Sequence, residues 1–74
     1  MSSFVRYILK FKNDQNAYGD VARDILQDTA INRRWSYRAF TRHLMMRNAS
    51  QRVFEIVDDL NYQYKEMRVL GFSV

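Results

Sequence analysis

The stretch of residues 51–69 reads QRVFEIVDDLNYQYKEMRV and carries the clearest helical pattern of the chain. Its apolar residues recur at intervals of three and four, which places them on one face of an α-helix because each residue advances the helix by about 100°. The residues that share this face are Val53, Val57, Leu60, Tyr64 and Met67. We therefore predict a helix over 51–69, with Ser50 as its N-cap and Gly71 as its C-terminal stop.

Outward from this stretch, the same spacing predicts three more helices, two of which begin at a serine N-cap, Ser3 or Ser36. The three helices are expected over residues 3–12, 17–28 and 36–47. The segments expected to connect the four helices are 13–16, 29–35 and 48–50. The side chains expected to face inward are Phe4, Tyr7, Ile8 and Phe11, then Tyr18, Val21, Ala22, Ile25 and Leu26, and then Tyr37, Phe40 and Leu44.

The composition agrees with an all-α fold. The chain has 74 residues, no proline and two glycines, so it lacks the residues that usually form the turns of β-hairpins. Hydrophobic residues make up 47% of it. A chain this short buries only about 60% of the surface that its unfolded form exposes, so most apolar residues are needed for one core. We predict a single domain over residues 1–74, a compact four-helix bundle with little room for an enclosed active site.

Several classes of protein are disfavoured by what the sequence lacks. It has no cysteine, which excludes disulfides and thiolate metal sites and agrees with a reducing compartment. No apolar run approaches the roughly 18 residues of a membrane span, and the first residues lead directly into an amphipathic pattern and not into a signal peptide. We expect a cytoplasmic protein that does not associate with a membrane.

The net charge of +4 is unevenly distributed along the chain. Residues 1–32 contain four basic and four acidic side chains, and residues 53–74 contain two basic and four acidic ones. Residues 33–52 contain six arginines and no acidic side chain. The basic character is therefore local, and it lies in and around the third predicted helix.

This basic segment carries the first functional hypothesis, which is nucleic-acid binding. On a helical wheel, Arg34, Arg38 and Arg42 follow at intervals of four, so they are expected to form one stripe. Arginine binds phosphate oxygens with a planar pair of donors, and a basic cluster gains affinity by releasing counterions. The predicted nucleic-acid-binding residues are Arg33, Arg34, Arg38, Arg42 and Arg47. The alternative is a solvated basic face that only keeps the protein soluble.

The fourth predicted helix carries the second hypothesis, which is protein interaction. Three of its acidic residues, Glu55, Asp59 and Glu66, gather on one arc around a tyrosine that has no obvious place in the core. The predicted partner-docking residues, which we call the acidic face, are Glu55, Asp59, Tyr62 and Glu66. Such a face suits a basic partner, including the arginine stripe of a second copy of the chain. The alternative is an ordinary solvent-exposed surface.

No combination of residues indicates catalysis, and we predict a binding module with no small-molecule substrate. His43 is the single histidine, and the serines nearest to it in sequence, Ser36 and Ser50, are better explained as helix caps. The adjacent Asp58 and Asp59 point about 100° apart on a helix and cannot form a carboxylate pair. We therefore predict no catalytic residue, no metal site and no cofactor, with His43 at the helix surface or its boundary.

Four segments, in order along the chain, carry a resemblance to a known family. SFVRYILKFK at residues 3–12 resembles the family's S-F-x-x-Y-L-L-K-Y-R, and VDDLNYQY at 57–64 resembles its F-D-E-A-W-x-x-Y. Between them, DTAINR at 28–33 is similar to D-x-x-F-P-K, and residues 37–44 are similar to Y-x-x-I-x-x-x-L. In their order and spacing, the four segments resemble the YozE-like family of small bacterial proteins.

The resemblance implies a fold more than a function. It implies one four-helix domain with a sterile-alpha-motif-like (SAM-like) fold, from a low-GC Gram-positive bacterium or one of its phages. Asp58 and Asp59 match the family's acidic pair, and no catalytic residue comes with that match. The chain departs from the pattern at Asn32, where the family has proline, and at Asn61, where it has tryptophan.

Overall fold

The computed structural model describes residues 2–72 and contains four α-helices joined by short connections. No β-strand occurs within that range. The helices are α1 (Phe4–Leu9), α2 (Ala17–Gln27), α3 (Tyr37–Met46) and α4 (Gln51–Val69). The predicted all-α class and the small helical bundle are confirmed, whereas the finer SAM-like assignment stays a prediction.

Each helix begins at a side chain that accepts a hydrogen bond from the first turn. Ser3, Ser36 and Ser50 do so at the positions predicted for α1, α3 and α4. Asn16 caps α2, a role that the sequence analysis missed, and its Oδ1 accepts from the Gly19 N–H at 3.0 Å. A Cβ at position 19 would lie 1.9 Å from the Asp14 carbonyl oxygen, so only glycine fits here.

The ends of α1 and α2 differ from the prediction. Helix α1 stops at Leu9 and not at residue 12, because the chain tightens into a run of i→i−3 hydrogen bonds in which Lys12 N donates to Leu9 O at 3.2 Å. Helix α2 stops at Gln27, one residue early, because Asp28 has an extended backbone with φ −97° and ψ 102°. The last turn predicted for α1 is therefore not α-helical, whereas α2 loses only its final residue.

Helices α3 and α4 end in the same way, with a left-handed residue that reverses the chain. Asn48 has φ 54° after α3, and Gly71 has φ 86° after α4. The following amide donates back five residues in both cases, from Ala49 to Leu44 at 3.0 Å and from Phe72 to Met67 at 2.9 Å. These are Schellman motifs, which satisfy the last carbonyl groups of a helix. The predicted stop at Gly71 is confirmed.

The core is centred on α1, which contacts each of the other three helices. Four of its six residues are buried, and Phe4 shares with Phe40 the place of the largest fully buried side chain. The Phe4 ring lies 5.5 Å from the Tyr37 ring and 5.6 Å from the Tyr64 ring, both in edge-to-face contact. The buried residues are Phe4, Val5, Tyr7, Ile8, Val21, Ala22, Ile25, Phe40, Ile56, Val57, Leu60 and Tyr64.

Three positions correct the predicted core. Leu26 was expected to face inward, but it is 40% exposed, because Ala22 and Ile25 form the buried face of α2 and Leu26 is turned away from that face. Val5 and Ile56 are buried although the pattern did not select them. Val5 is enclosed because the connection before α3 crosses it, and its N–H donates to the Trp35 carbonyl at 3.3 Å. Leu44 is half-buried at the margin of the core.

We predict that Leu60→Ala lowers the free energy of unfolding by about 2 to 5 kcal/mol, the usual cost of truncating a large core side chain. Leu60 is 0% exposed in the centre of α4. The control is Leu26→Ala, which removes the same atoms from a partly exposed site and should cost much less. Urea denaturation of both variants measures the difference. Equal losses would contradict the assigned buried faces of α2 and α4.

Candidate nucleic-acid interface

A groove with four cationic side chains lies between the N-terminal end of α3 and the C-terminal half of α4. Arg34 and Arg38 come from one side, and Lys65 and Arg68 come from the other. Its volume is about 400 Å³. We call it the basic groove, lined by Ser3, Phe4, Arg34, Ser36, Tyr37, Arg38, Asn61, Tyr64, Lys65 and Arg68.

The connection before α3 holds one side of the basic groove in place. Asn32 closes a turn, because its Oδ1 accepts from the Arg34 N–H at 2.8 Å and its carbonyl accepts from the Trp35 N–H at 3.1 Å. The Ser3 hydroxyl donates to the Arg33 carbonyl and so ties this turn to the start of α1. The backbone of Arg34 is therefore fixed, and Arg38 follows it in the first turn of α3.

The other side is part of α4 and rests on a core tyrosine. Lys65 and Arg68 are three residues apart and therefore neighbours on the helix surface. The Arg68 guanidinium carbon lies 5.5 Å from the centre of the Tyr64 ring, within the range of a cation–π interaction. Tyr64 is buried, and its hydroxyl donates to the Ser2 carbonyl at 2.7 Å. The Tyr64 ring beneath Arg68 is therefore held in place by its burial and by the hydrogen bond of its hydroxyl.

A second depression adjoins the basic groove and shares one residue with it. This adjoining depression has a volume of about 600 Å³ and is lined by Ser2, Ser3, Arg6 and Arg34. Within residues 2–72, no acidic side chain lines either hollow. The five cations also form no ion pair with any described residue. The two hollows are linked by Arg34, and their cations are not neutralised by a direct ion pair within the described residues.

One carboxylate, that of Asp58, is bound to a tyrosine that lines the basic groove. Asp58 accepts a hydrogen bond from the Tyr37 hydroxyl at 2.5 Å. This bond and partial burial raise the pKa of Tyr37, which therefore remains a protonated donor at neutral pH. The carboxylate of Asp58 is thus held by Tyr37 and does not line the groove.

The structure separates the five arginines that the sequence analysis grouped together. All five are exposed, but only Arg34 and Arg38 line the basic groove. Arg34 lies before α3 and not on it, so the expected stripe with Arg38 and Arg42 does not belong to one helix. Arg33 and Arg42 lie outside the lining, and Arg47 contacts Asp28 elsewhere at 3.5 Å.

Three cations of this surface were missed by the sequence analysis. Arg6 lies in residues 1–32, which are neutral overall, and Lys65 and Arg68 lie in residues 53–74, which are negative overall. No local excess of basic residues therefore marked these three. Only the packing of α1 and α4 beside the start of α3 brings them to Arg34 and Arg38. An available signal was the i, i+3 spacing of Lys65 and Arg68 on a helix whose Glu55, Asp59 and Glu66 occupy another arc.

The predicted acidic face is present as an exposed stripe along α4. Its four residues, at 55, 59, 62 and 66, are all exposed, and Tyr62 is 68% exposed. At about 100° per residue, this stripe lies roughly a third of a turn from Lys65 and Arg68. Its carboxylates make no ion pair within the described part of the chain. Helix α4 therefore presents opposite charges on two separate flanks.

His43 belongs to a charged cluster that joins α2 to α3. Its Nε2 lies 3.2 Å from Asp28 Oδ2, and Arg47 reaches the other carboxylate oxygen of Asp28. The Ala30 N–H also donates to Asp28 at 3.0 Å. This backbone bond, followed by the contact with His43, holds the pKa of Asp28 below its ordinary value of 3.8. His43 is half-buried, at the boundary where it was expected.

The same cluster borders a crevice of about 290 Å³ between α2 and α3. The crevice has an apolar floor, and no serine or threonine of the described residues lines it. Its charged margin is occupied by the pairing of Asp28 with His43 and Arg47. These groups hold α3 and the 29–35 connection against the end of α2. Their polar atoms already form hydrogen bonds within the fold.

Two features are absent from residues 2–72. No group of three or more His, Cys, Asp or Glu side chains is placed to bind a metal ion. None of the helices combines the length and the apolarity that a bilayer crossing requires.

Comparison of the chain with protein-family models, with curated proteins and with solved structures found no match. The resemblance to the YozE-like family therefore stays a prediction.

We predict that Asp28→Asn lowers the Tm at pH 7 and that the difference from the parent narrows as the pH falls below about 4. The pKa of Asp28 is lowered in the folded protein, so its carboxylate stabilises the fold above its ordinary value of 3.8. That contribution disappears as the pH falls through the lower folded pKa. Asparagine keeps the acceptor for Ala30 and removes the charge that contacts His43 and Arg47.

Thermal denaturation followed by circular dichroism from pH 3 to pH 7 measures this effect. The control is Asp24→Asn, one turn earlier on α2, where the carboxylate is exposed and contacts neither cation. A gap between Asp28→Asn and the parent that stays constant with pH would contradict the role of the charge.

Proposed function

We propose that this protein is a non-enzymatic binding module that holds the phosphate backbone of a nucleic acid in the basic groove. The observation that supports this function is the convergence of Arg34, Arg38, Lys65 and Arg68 on one recess without a lining carboxylate. Arg6 extends the same charge into the adjoining depression. The proposal keeps Arg34 and Arg38 from the sequence analysis and replaces the remaining arginines with residues of α1 and α4.

The physical reason is the cost of keeping like charges together. Cations that face one recess repel each other, and a polyanion relieves that repulsion while releasing its own condensed counterions. The three arginines of the groove can each bind two phosphate oxygens at once, whereas Lys65 acts as a point charge. A chain of phosphates supplies several anions at regular intervals, which suits a row of cations better than a single small anion does.

A second candidate function is head-to-tail self-association, and the separate acidic face favours it. The acidic face and the basic groove lie on different flanks of the same molecule, so the acidic face of one copy can meet the basic groove of the next without internal conflict. Tyr62 would supply an aromatic contact in the middle of such an interface. Electrostatics alone does not distinguish the two functions, because both require Arg38 and Lys65.

We predict that Arg38→Gln and Lys65→Gln each weaken nucleic-acid binding similarly across base sequences, because phosphate contacts position a nucleic acid without reading it. The logarithm of affinity should fall linearly with the logarithm of salt concentration, and each substitution should reduce that slope by about one unit. Fluorescence anisotropy at low salt measures both quantities.

The matched control is Arg52→Gln, which makes the same charge change at an exposed arginine outside both hollows. It should retain the parent affinity and slope. A loss as large as that of Arg38→Gln would indicate a response to net charge and not to the groove. No binding of any nucleic acid at tens of micromolar protein would refute the function.

For self-association, we predict that Arg38→Glu and Glu55→Arg are each more monomeric than the parent at low salt. A mixture of the two should recover assembly, because the two altered faces are again opposite in charge. Assembly should weaken as salt shortens the Debye length towards about 8 Å. Sedimentation velocity over a concentration series measures this, and a parent that stays monomeric at high concentration removes the candidate.

A further inference from the structure

We infer that the basic groove takes a single-stranded nucleic acid in preference to a duplex, with one base stacked on the guanidinium of Arg68. This inference rests on the proposed function and adds the strand type to it. Three observations support it: the path between the two hollows, the placement of the cations around a hollow, and the support beneath Arg68.

The first observation is that the two hollows form one path. Arg34 lines both, so the cations follow each other from Arg6 through Arg34 to the groove walls at Arg38 and Arg68. An extended strand, with one phosphate for each nucleotide and free rotation between nucleotides, can bend along such a path. A duplex is stiff over this distance and presents its phosphates on a fixed helical ridge.

The second observation is that the cations line a recess. Proteins that read a duplex usually insert a projecting helix into its major groove, which is about 12 Å wide. Here the start of α3 is one wall of the hollow and is packed onto α1 through the edge-to-face contact of Tyr37 with Phe4. The basic end of α3 therefore does not project. A charged groove that follows the backbone is the usual arrangement in single-strand binding.

The third observation is the support beneath Arg68. Its guanidinium rests over the buried Tyr64 ring at 5.5 Å, while the side chain itself is exposed to the groove. Bases that are not paired stack on arginine planes as well as on aromatic rings, and duplex bases cannot because they are stacked on each other. Nearby, the Asn61 amide has no hydrogen-bond partner among the described side chains and can contact a sugar or a base edge.

The experiment compares a 20-nucleotide oligothymidine strand with a 20-base-pair blunt duplex, both labelled with fluorescein, by anisotropy at about 50 mM salt. We expect the strand to bind at least about fivefold more tightly than the duplex. Arg68→Lys keeps the charge and removes the plane, so it should weaken strand binding severalfold while leaving the salt slope unchanged. Arg52→Lys is the matched control, and circular dichroism checks that both variants are folded.

Each outcome decides one part of the inference. Equal or tighter binding of the duplex overturns the single-strand preference and leaves the proposed function standing. Full strand affinity in folded Arg68→Lys overturns the stacking role of Arg68. Failure of both probes to bind overturns the proposed function together with the inference.

Discussion

Burial of Phe4 links three of the four helices. Phe4 lies at the start of α1, a helix of six residues that is too short to persist in water by itself. The helix is stabilised because four of its residues are buried, and the Phe4 ring contacts aromatic rings from both α3 and α4. Formation of α1 therefore depends on its packing against the other helices.

The basic groove is a direct result of this arrangement. Phe4 lies at its floor, and the two tyrosines that meet the Phe4 ring, Tyr37 and Tyr64, also line it. Tyr64 then supports Arg68, and the turn before α3, anchored to α1 by Ser3, carries Arg34. The cations are thus connected to the core by one or two contacts each. Their mutual repulsion is opposed by the burial of aromatic surface directly beneath them.

Periodicity predicted α4 well because a long helix on a core repeats its pattern many times, and both ends of α4 carry residues with a specific role, Ser50 and Gly71. Periodicity failed for Val5, because Val5 is enclosed by a connection that has no periodic pattern of its own.

The site was only partly predictable, because its residues come from separate segments of the chain. Local charge excess identified Arg34 and Arg38, but Lys65 lies among acidic neighbours and joins them only through the packing of α4 beside α3.

The bond from the Tyr64 hydroxyl to the Ser2 carbonyl also holds the chain at Ser2 against the surface of the domain. Ser2 lines the depression beside Arg6, so a purification tag or a fused protein joined at this end starts close to the cationic path. An acidic tag there would compete for the same surface that a nucleic acid would occupy. The last turn of α4 carries Arg68 and is equally close to the basic groove, so fusions at either end are better removed by proteolysis before binding is measured.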